Sequence, residues 1–363
     1  MVGRNQRGYI RVSEALDAEN KAQIRSQWLS YETRDASSLP KTRNYQMMYD
    51  RMADLAYQYK SSGWDVYNTL EDAAWMFQLA GTYNDILNMA NMYGSPPEFT
   101  IVALKDVSTH TYVAPMITTK WHQDPPYNDF CPTDHLGRKY DAGCAAIAMA
   151  MVLKHHRYSA SPITWNGHTV IWNDLLDDTY YDNNGCLNTT NSVKALIKHA
   201  ADKASMNWGF GIFGTFSWAL PGNVTNGLRS YGYTVNQVNS HSYTTVRNEL
   251  VNNGRPVLML GGSMNLIPPL SYIGNGHYWV CDGVNEYSTK YQYFIEFFTG
   301  SGYSTYSYCP PSNPGNTSTI GGFAYLRMNW GWKNHSLNSW YYDNQFPSGH
   351  NFQHDRKNYY ISK

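Results

Sequence analysis

The stretch YDAGCAAIAMAMVLKHH, Tyr140 to His156, sets one cysteine behind a glycine and at the head of a run of alanines, methionines and branched aliphatics. The run is apolar nearly all round, and Ala145, Ala146, Ala148 and Ala150 permit close approach, so the pattern predicts a helix from Cys144 buried in a core. Its first residue still lies at an edge, where backbone N–H groups lack intrahelical partners and the helix dipole favours negative charge. A cysteine there has its pKa pulled down, and the thiolate is the nucleophile. The Cys144 N–H is also free to receive an oxyanion. Taken alone, the helix suits a small core thiol as well as a nucleophile, because free cysteines are often buried. A base must decide. His155 lies near the same face but about 16 Å along the axis. His155 and His156 are therefore expected to cap the helix C-terminus, where imidazolium is favoured.

The base has to come from elsewhere in the chain. GNGHYWVCDGV (274–284) places His277 at the head of an expected strand, behind glycines that permit close approach. Downstream, RMNWGWKN (327–334) reads as a strand ending in an aromatic cluster around Gly331. Asn329, or a backbone carbonyl there, is placed to orient the imidazole, and Trp330 or Trp332 to shield it from water. The plain alternatives are a core histidine and a core tryptophan pair. Cys281 shares the His277 face of the strand and reads as a core thiol; Asp282, before Gly283, reads as a turn residue.

Composition bounds the function. The chain has 363 residues, formal net charge zero, 15% charged residues and 15% aromatics, with 31 tyrosines. Nothing in that balance points to nucleic acid or an anionic membrane. A neutral, Tyr-rich chain leans towards an extracellular setting. No apolar run reaches membrane-spanning length, and Met1 to Arg11 lacks the apolar core of a signal peptide. The five cysteines form no CxxC pair, so a structural zinc site is not expected.

Residues 1 to about 95 read as helical: one helix after Ser13, a second after Pro40, and a third opened by a Thr69–Asp72 capping box. Gly94-Ser95-Pro96-Pro97 ends that texture. Beyond it, FTIVALKDV and YVAPMI, then RPVLMLGG, HYWVCDGV, YQYFIEFF, AYLRMNWGW and NYYIS, read as strands of an antiparallel sheet. NSVKALIKHAADKA, from Asn191, and VRNELVNNG, ending at Gly254, read as helices. The expected fold class is α+β, with residues 1–112 a helical N-terminal segment and 113–363 the principal domain.

Four motifs in order, KWHQDPPYNDFCP (120–132), the Cys144 stretch, GHYWVCDGV and MNWGWKN, resemble the streptopain family (C10) of bacterial cysteine peptidases over about residues 113–363. The resemblance implies a papain-like fold, a central helix packed on an antiparallel sheet. It implies Cys144 as nucleophile, His277 as general base, Gln123 completing the oxyanion hole, and Trp330 beside the histidine, acting on protein or peptide substrates without a cofactor. It implies a secreted or cell-surface enzyme made as a zymogen, with residues 1–112 a candidate propeptide and intramolecular inhibitor. The chain departs from the family at Ala145 and Ile147, at an apparent insertion (307–322), and at the aromatic loop 208–223, which puts substrate preference in question. Two other readings stand beside it. A transglutaminase-like acyltransferase would usually add an acidic residue where this chain has Asn329. A catalytically silent protein binding glycan or cell-wall polymers through its Tyr and Trp side chains would show no thiol of unusual reactivity.

Overall fold

A computed structural model describes residues 9–11, 50–52, 54–55, 63–67, 99–209, 215–264, 276–298, 303–304 and 317–363. The helices expected after Ser13 and Thr69, the Thr69–Asp72 capping box, the Gly94–Pro97 break and Cys309 lie outside the described residues. Residues 50–52 and 54–55, within the helix expected after Pro40, are helical. Among the described residues, no helix is long and apolar enough to cross a membrane. The chain divides into two units.

The first unit comprises Met1–His110 and Tyr287–Gly322. Strand β1 (Tyr9–Arg11) pairs antiparallel with β2 (Trp64–Tyr67), and β2 with β3 (Phe99–Asp106). Residues 291–298 complete this sheet, with Tyr291 opposite Asp106. Trp64, Val66, Ile101, Leu104 and Ile295 are buried beside Met52 and Leu55. The Arg51 guanidinium binds the Glu296 carboxylate, Nε to Oε2 at 2.8 Å.

The second unit comprises Thr111–Glu286 and Phe323–Lys363. Its helices are α1 (Cys144–His156), α2 (Asn191–Lys203), α3 (Pro221–Ser230) and α4 (Tyr243–Asn253). Its strands are β4 (Thr234–Val238), β5 (Val257–Gly262), the start of the long β6 (Gly276–Phe298), the end of β7 (Thr317–Asn329), β8 (Trp340–Tyr342) and β9 (His354–Ser362). Within the unit the order is β6-β5-β9-β4, all antiparallel, with Leu258 opposite Val280 and Tyr359, and Val235 opposite Ile361.

Strand alternation sorts the core into two layers. Leu258, Leu260, Tyr278, Val280, Tyr359 and Ile361 join α1, α2 and α3 in one cluster. Val257, Met259, Trp279 and Cys281 join Val246 and Leu250 of α4, Met328, Trp330 and Phe352 in the other. Both faces of β5 are therefore covered, which is why VLMLGG is apolar throughout instead of alternating. In α1 every residue from Ala145 to Leu153 is buried. Each large aliphatic among them contributes roughly 1.5–3 kcal/mol by leaving water, and the alanines let the neighbouring elements approach closely.

The helix ends follow local rules. Thr190 caps α2 by accepting from the Val193 N–H at 3.3 Å, and Ser242 caps α4 through the Thr245 N–H at 3.4 Å. Gly254 closes α4 in the left-handed region, as the sequence suggests. The expected strands HYWVCDGV and YQYFIEFF are one continuous strand, β6.

Candidate active site

Cys144 is the first residue of α1, and what precedes it is fixed from three sides. The Asp141 N–H donates to the Thr215 carbonyl at 2.9 Å, Ser217 Oγ donates to the Asp141 carbonyl at 2.7 Å, and the Ala142 N–H donates to the Gln123 carbonyl at 2.9 Å. Gly143 then turns the chain into the helix with φ 89°, and a Cβ there would stand 2.7 Å from both Met206 Cε and Ser217 Oγ. Positive φ and the close approach each require glycine. No side chain caps α1, so its first N–H groups stay available. The Ala142–Gln123 bond ties the backbone of Gln123 two residues ahead of the thiol; the Gln123 side chain is half-buried.

His277 opens β6 and is 5% exposed. Its Nε2 lies 2.8 Å from the Trp330 carbonyl. A carbonyl only accepts, so Nε2 carries the proton and Nδ1 is the basic nitrogen. The Trp330 peptide is itself fixed. Its N–H donates to Asn338 Oδ1 at 2.8 Å, and the Gly331 N–H donates to Asn329 Oδ1 at 3.2 Å. Gly331 has φ 65°, and a Cβ there would come 2.9 Å from Ile147 Cγ2, so the turn that orients His277 packs on the first turn of the cysteine helix. Of the two acceptors considered for the imidazole, the backbone carbonyl of Trp330 makes the bond. The Asn329 amide points away, donating to the Thr119 carbonyl at 3.0 Å.

Aromatic rings enclose the imidazole. Trp332 lies 4.9 Å away between centroids, Phe352 5.3 Å and Trp330 6.2 Å. Trp330 is fully buried and Trp332 half-buried. Burial pushes the His277 pKa down to about 4, against the hydrogen bond it donates to the Trp330 carbonyl and with help from the nearby His350. Burial also raises the Cys144 thiol, although the backbone N–H groups of Tyr278, Ala145 and Cys144 itself favour the thiolate. Desolvation thus opposes the lowered thiol pKa expected from the helix terminus and outweighs the helix N–H groups at the sulfur.

Two further expectations are corrected. His155 and His156 sit in the last turn of α1, but burial lowers both, His156 to about 4, and keeps them uncharged. Arg157, in the left-handed region, closes the helix by donating its N–H to the Leu153 carbonyl at 2.8 Å. Asp282 is no turn residue; it is fully buried in β6 and paired with Arg327, Nη1 to Oδ2 at 2.8 Å. Cys281 is a buried free thiol, as read from its position; Cys131, Cys144 and Cys186 are free too. Asn338 and Phe352 were not anticipated. Asn338 follows a short 3-10 turn (His335–Leu337) and Phe352 lies in a loop before β9, and neither carries a local pattern. Among the described residues, no three histidine, cysteine or acidic side chains group as metal ligands.

The comparisons with known proteins bear on this geometry. Residues 121–341, more than half of the chain, match the model of the peptidase C10 family. Among solved structures, active interpain A cysteine protease from Prevotella intermedia is similar at 20% identity and a TM-score of 0.46, covering 68% of this chain and 94% of its own. A prointerpain A fragment from the same organism is similar at 18% identity and a TM-score of 0.44, covering 78% and 81%. No curated protein matches. The matched span carries Gln123, Cys144, His277, Asn329 and Trp330 within an α+β framework, and the chain belongs to the peptidase C10 family of cysteine-type peptidases.

Proposed function

We propose that this peptidase hydrolyses internal peptide bonds through a Cys144–His277 pair and a thioacyl-enzyme. The observation that carries the reading is the joint placement of the two groups. The Cys144 sulfur is faced by the backbone N–H of Tyr278, the residue after His277, while the His277 Nε2–H is committed to the Trp330 carbonyl. Nδ1 is left as the base.

The mechanism follows from that placement. As a substrate carbonyl arrives, Nδ1 takes the thiol proton and the Cys144 sulfur forms a bond to the carbonyl carbon. The oxyanion is received by the Cys144 N–H and the Gln123 amide, a preorganised arrangement worth about 3 kcal/mol per donor at comparable acyl-transfer sites. Imidazolium then protonates the leaving amine as the C–N bond breaks. Water, deprotonated by Nδ1, attacks the thioester, and the acid leaves as the thiol regains its proton. Trp330 and Trp332 shield the imidazole, and Asn329 holds the turn that carries its acceptor.

The family match begins at residue 121, which leaves the N-terminal stretch outside the peptidase homology. That supports reading residues 1–112 as a propeptide that restrains the enzyme intramolecularly, and the neutral, Tyr-rich composition supports export to the cell surface or medium. Cleavage of a quenched peptide library by the full chain, by a chain trimmed after residue 112, and by Cys144→Ala tests both parts. The trimmed enzyme is expected to be faster than the full chain, and the alanine variant silent. Equal rates with and without trimming would remove the inhibitory role; turnover by Cys144→Ala would remove the nucleophile.

A further inference from the structure

The chain between Met116 and Thr119 belongs to no helix or strand, yet β6 and β7 fasten its backbone at Met116, Ile117 and Thr119. The Met116 N–H donates to the Asp282 carbonyl at 3.0 Å, and the Ile117 N–H to Asp282 Oδ2 at 2.8 Å. Arg327 Nη1 donates to the same Oδ2 at 2.8 Å and to the Ile117 carbonyl at 3.3 Å. Asn329, two residues further along β7 and on the same face, donates to the Thr119 carbonyl at 3.0 Å. The anchoring continues without a gap. The Lys120 N–H donates to the Asp177 carbonyl at 2.7 Å, Trp121 Nε1 donates to the Leu176 carbonyl at 2.8 Å, and Trp121 is fully buried. The next residue but one is Gln123.

We propose that the buried Asp282–Arg327 pair, with Asn329, is a positioning device that sets the height and register of the segment carrying Gln123 relative to the Cys144 helix. The inference rests on the reading of Gln123 as an oxyanion donor. Stability alone is a weak reason for the pair, because removing a carboxylate and a guanidinium from water often costs as much as their attraction returns. Geometry gives a better one. Oδ2 holds an N–H of the segment and the guanidinium that grips the carbonyl of the same residue, so Ile117 is held from both sides of its peptide unit. Both bonds leave Nη1, whose two N–H groups are fixed in the guanidinium plane, whereas the N–H groups of an ammonium rotate on a flexible stem. Asp282 and His277 share β6, and Arg327, Asn329 and Trp330 share β7 and its end. The strands that orient the base thus also place the chain that leads to the oxyanion donor.

The test is a double-mutant cycle on the whole protein, using Asp282→Asn, Arg327→Lys, Gln123→Ala and each pair with Gln123→Ala. Each folded variant is assayed for kcat, KM and the rate of Cys144 alkylation by iodoacetamide, a reaction that forms no oxyanion. In the wild-type background Asp282→Asn and Arg327→Lys are expected to lower kcat at least tenfold, with KM and alkylation within threefold of wild type. In the Gln123→Ala background the same substitutions should change kcat less than twofold, because the donor they position is gone. A full tenfold loss in both backgrounds, or no loss in either, overturns the positioning role. A parallel fall in alkylation also overturns it, since a general loss of structure would do that. If Gln123→Ala alone leaves kcat unchanged, the donor assignment fails first, a result distinct from the others. Arg327→Lys is the milder variant and serves if Asp282→Asn does not fold.

Discussion

The Nε2–H of His277 donates to the carbonyl of Trp330 at 2.8 Å, which fixes the imidazole tautomer with a backbone acceptor. A backbone carbonyl cannot be deleted by substitution, so the arrangement is best probed through the residues that hold it. Trp330 is held by Asn338 on one side and by the Gly331 turn, which packs on Ile147, on the other.

Gly331→Ala should therefore damage catalysis from outside the reacting groups. Its φ of 65° is costly for alanine, about 1 kcal/mol, and its Cβ would press on the branched side chain of Ile147 at 2.9 Å. The turn must shift, and the acceptor shifts with it. The expected result is a kcat at least tenfold lower with a Tm lowered by a few degrees. A kcat within twofold of wild type would show that the turn does not set the imidazole.

Trp332→Ala should open His277 to water. The half-buried indole lies 4.9 Å from the imidazole, which burial holds at about 4. With part of that desolvation removed, the His277 pKa is expected to rise towards the ordinary 6.5, read by NMR titration of the ring protons. No upward movement would mean that Trp332 contributes no shielding.

Acid should weaken the fold within a defined window. His122 and His277, at 4% and 5% exposure, are both lowered from 6.5 to about 4 by burial. Groups kept neutral in the folded state protonate more readily when unfolded, so their stabilisation is intact above pH 6.5 and is lost as pH falls towards 4. Each contributes up to about 3 kcal/mol across that range. The Tm should fall steeply between pH 6.5 and 4, and His122→Asn should flatten the slope. A Tm independent of pH over that interval would contradict the neutral assignment.

The state of the thiol has its own signature. Burial raises the Cys144 pKa, so alkylation of the full chain by iodoacetamide should keep accelerating through pH 8. A rate already at its plateau between pH 5 and 6 would contradict the raised thiol and return the lowered pKa expected from the helix terminus. Mass spectrometry of the Cys144 peptide measures it.

Much of this site was legible in the sequence, and the rest depends on tertiary contacts. The Cys144 helix is apolar all round, so its burial and its start behind Gly143 follow from the residues alone. His277 stands out because glycines precede it and a strand follows. β6 looked like two strands because Asp282, Gly283 and Asn285 interrupt its apolar run, and the Arg327 guanidinium and the Ile117 N–H make Asp282 tolerable there. α3 escaped because Gly222, Thr225, Asn226 and Gly227 are poor helix formers; Pro221 at its first turn and packing against α2 sustain it. The acceptor for His277 is a main-chain atom, and Phe352 reaches the site from a loop far along the chain. Neither leaves a mark in a local pattern. The upward push on the thiol and the downward push on the imidazole depend on how much protein surrounds them, which spacing does not encode.

The central claim is that Cys144, activated by His277, is the nucleophile. A peptidyl epoxide at one equivalent, followed by intact-mass measurement and peptide mapping, tests it most directly, because ring opening needs both an activated sulfur and a proton donor beside it. The account predicts a single adduct on Cys144 and none on the exposed Cys186 or the buried Cys131 and Cys281, with the rate at least a hundredfold lower in His277→Ala. An adduct on Cys186, or an undiminished rate at Cys144 without His277, would contradict it.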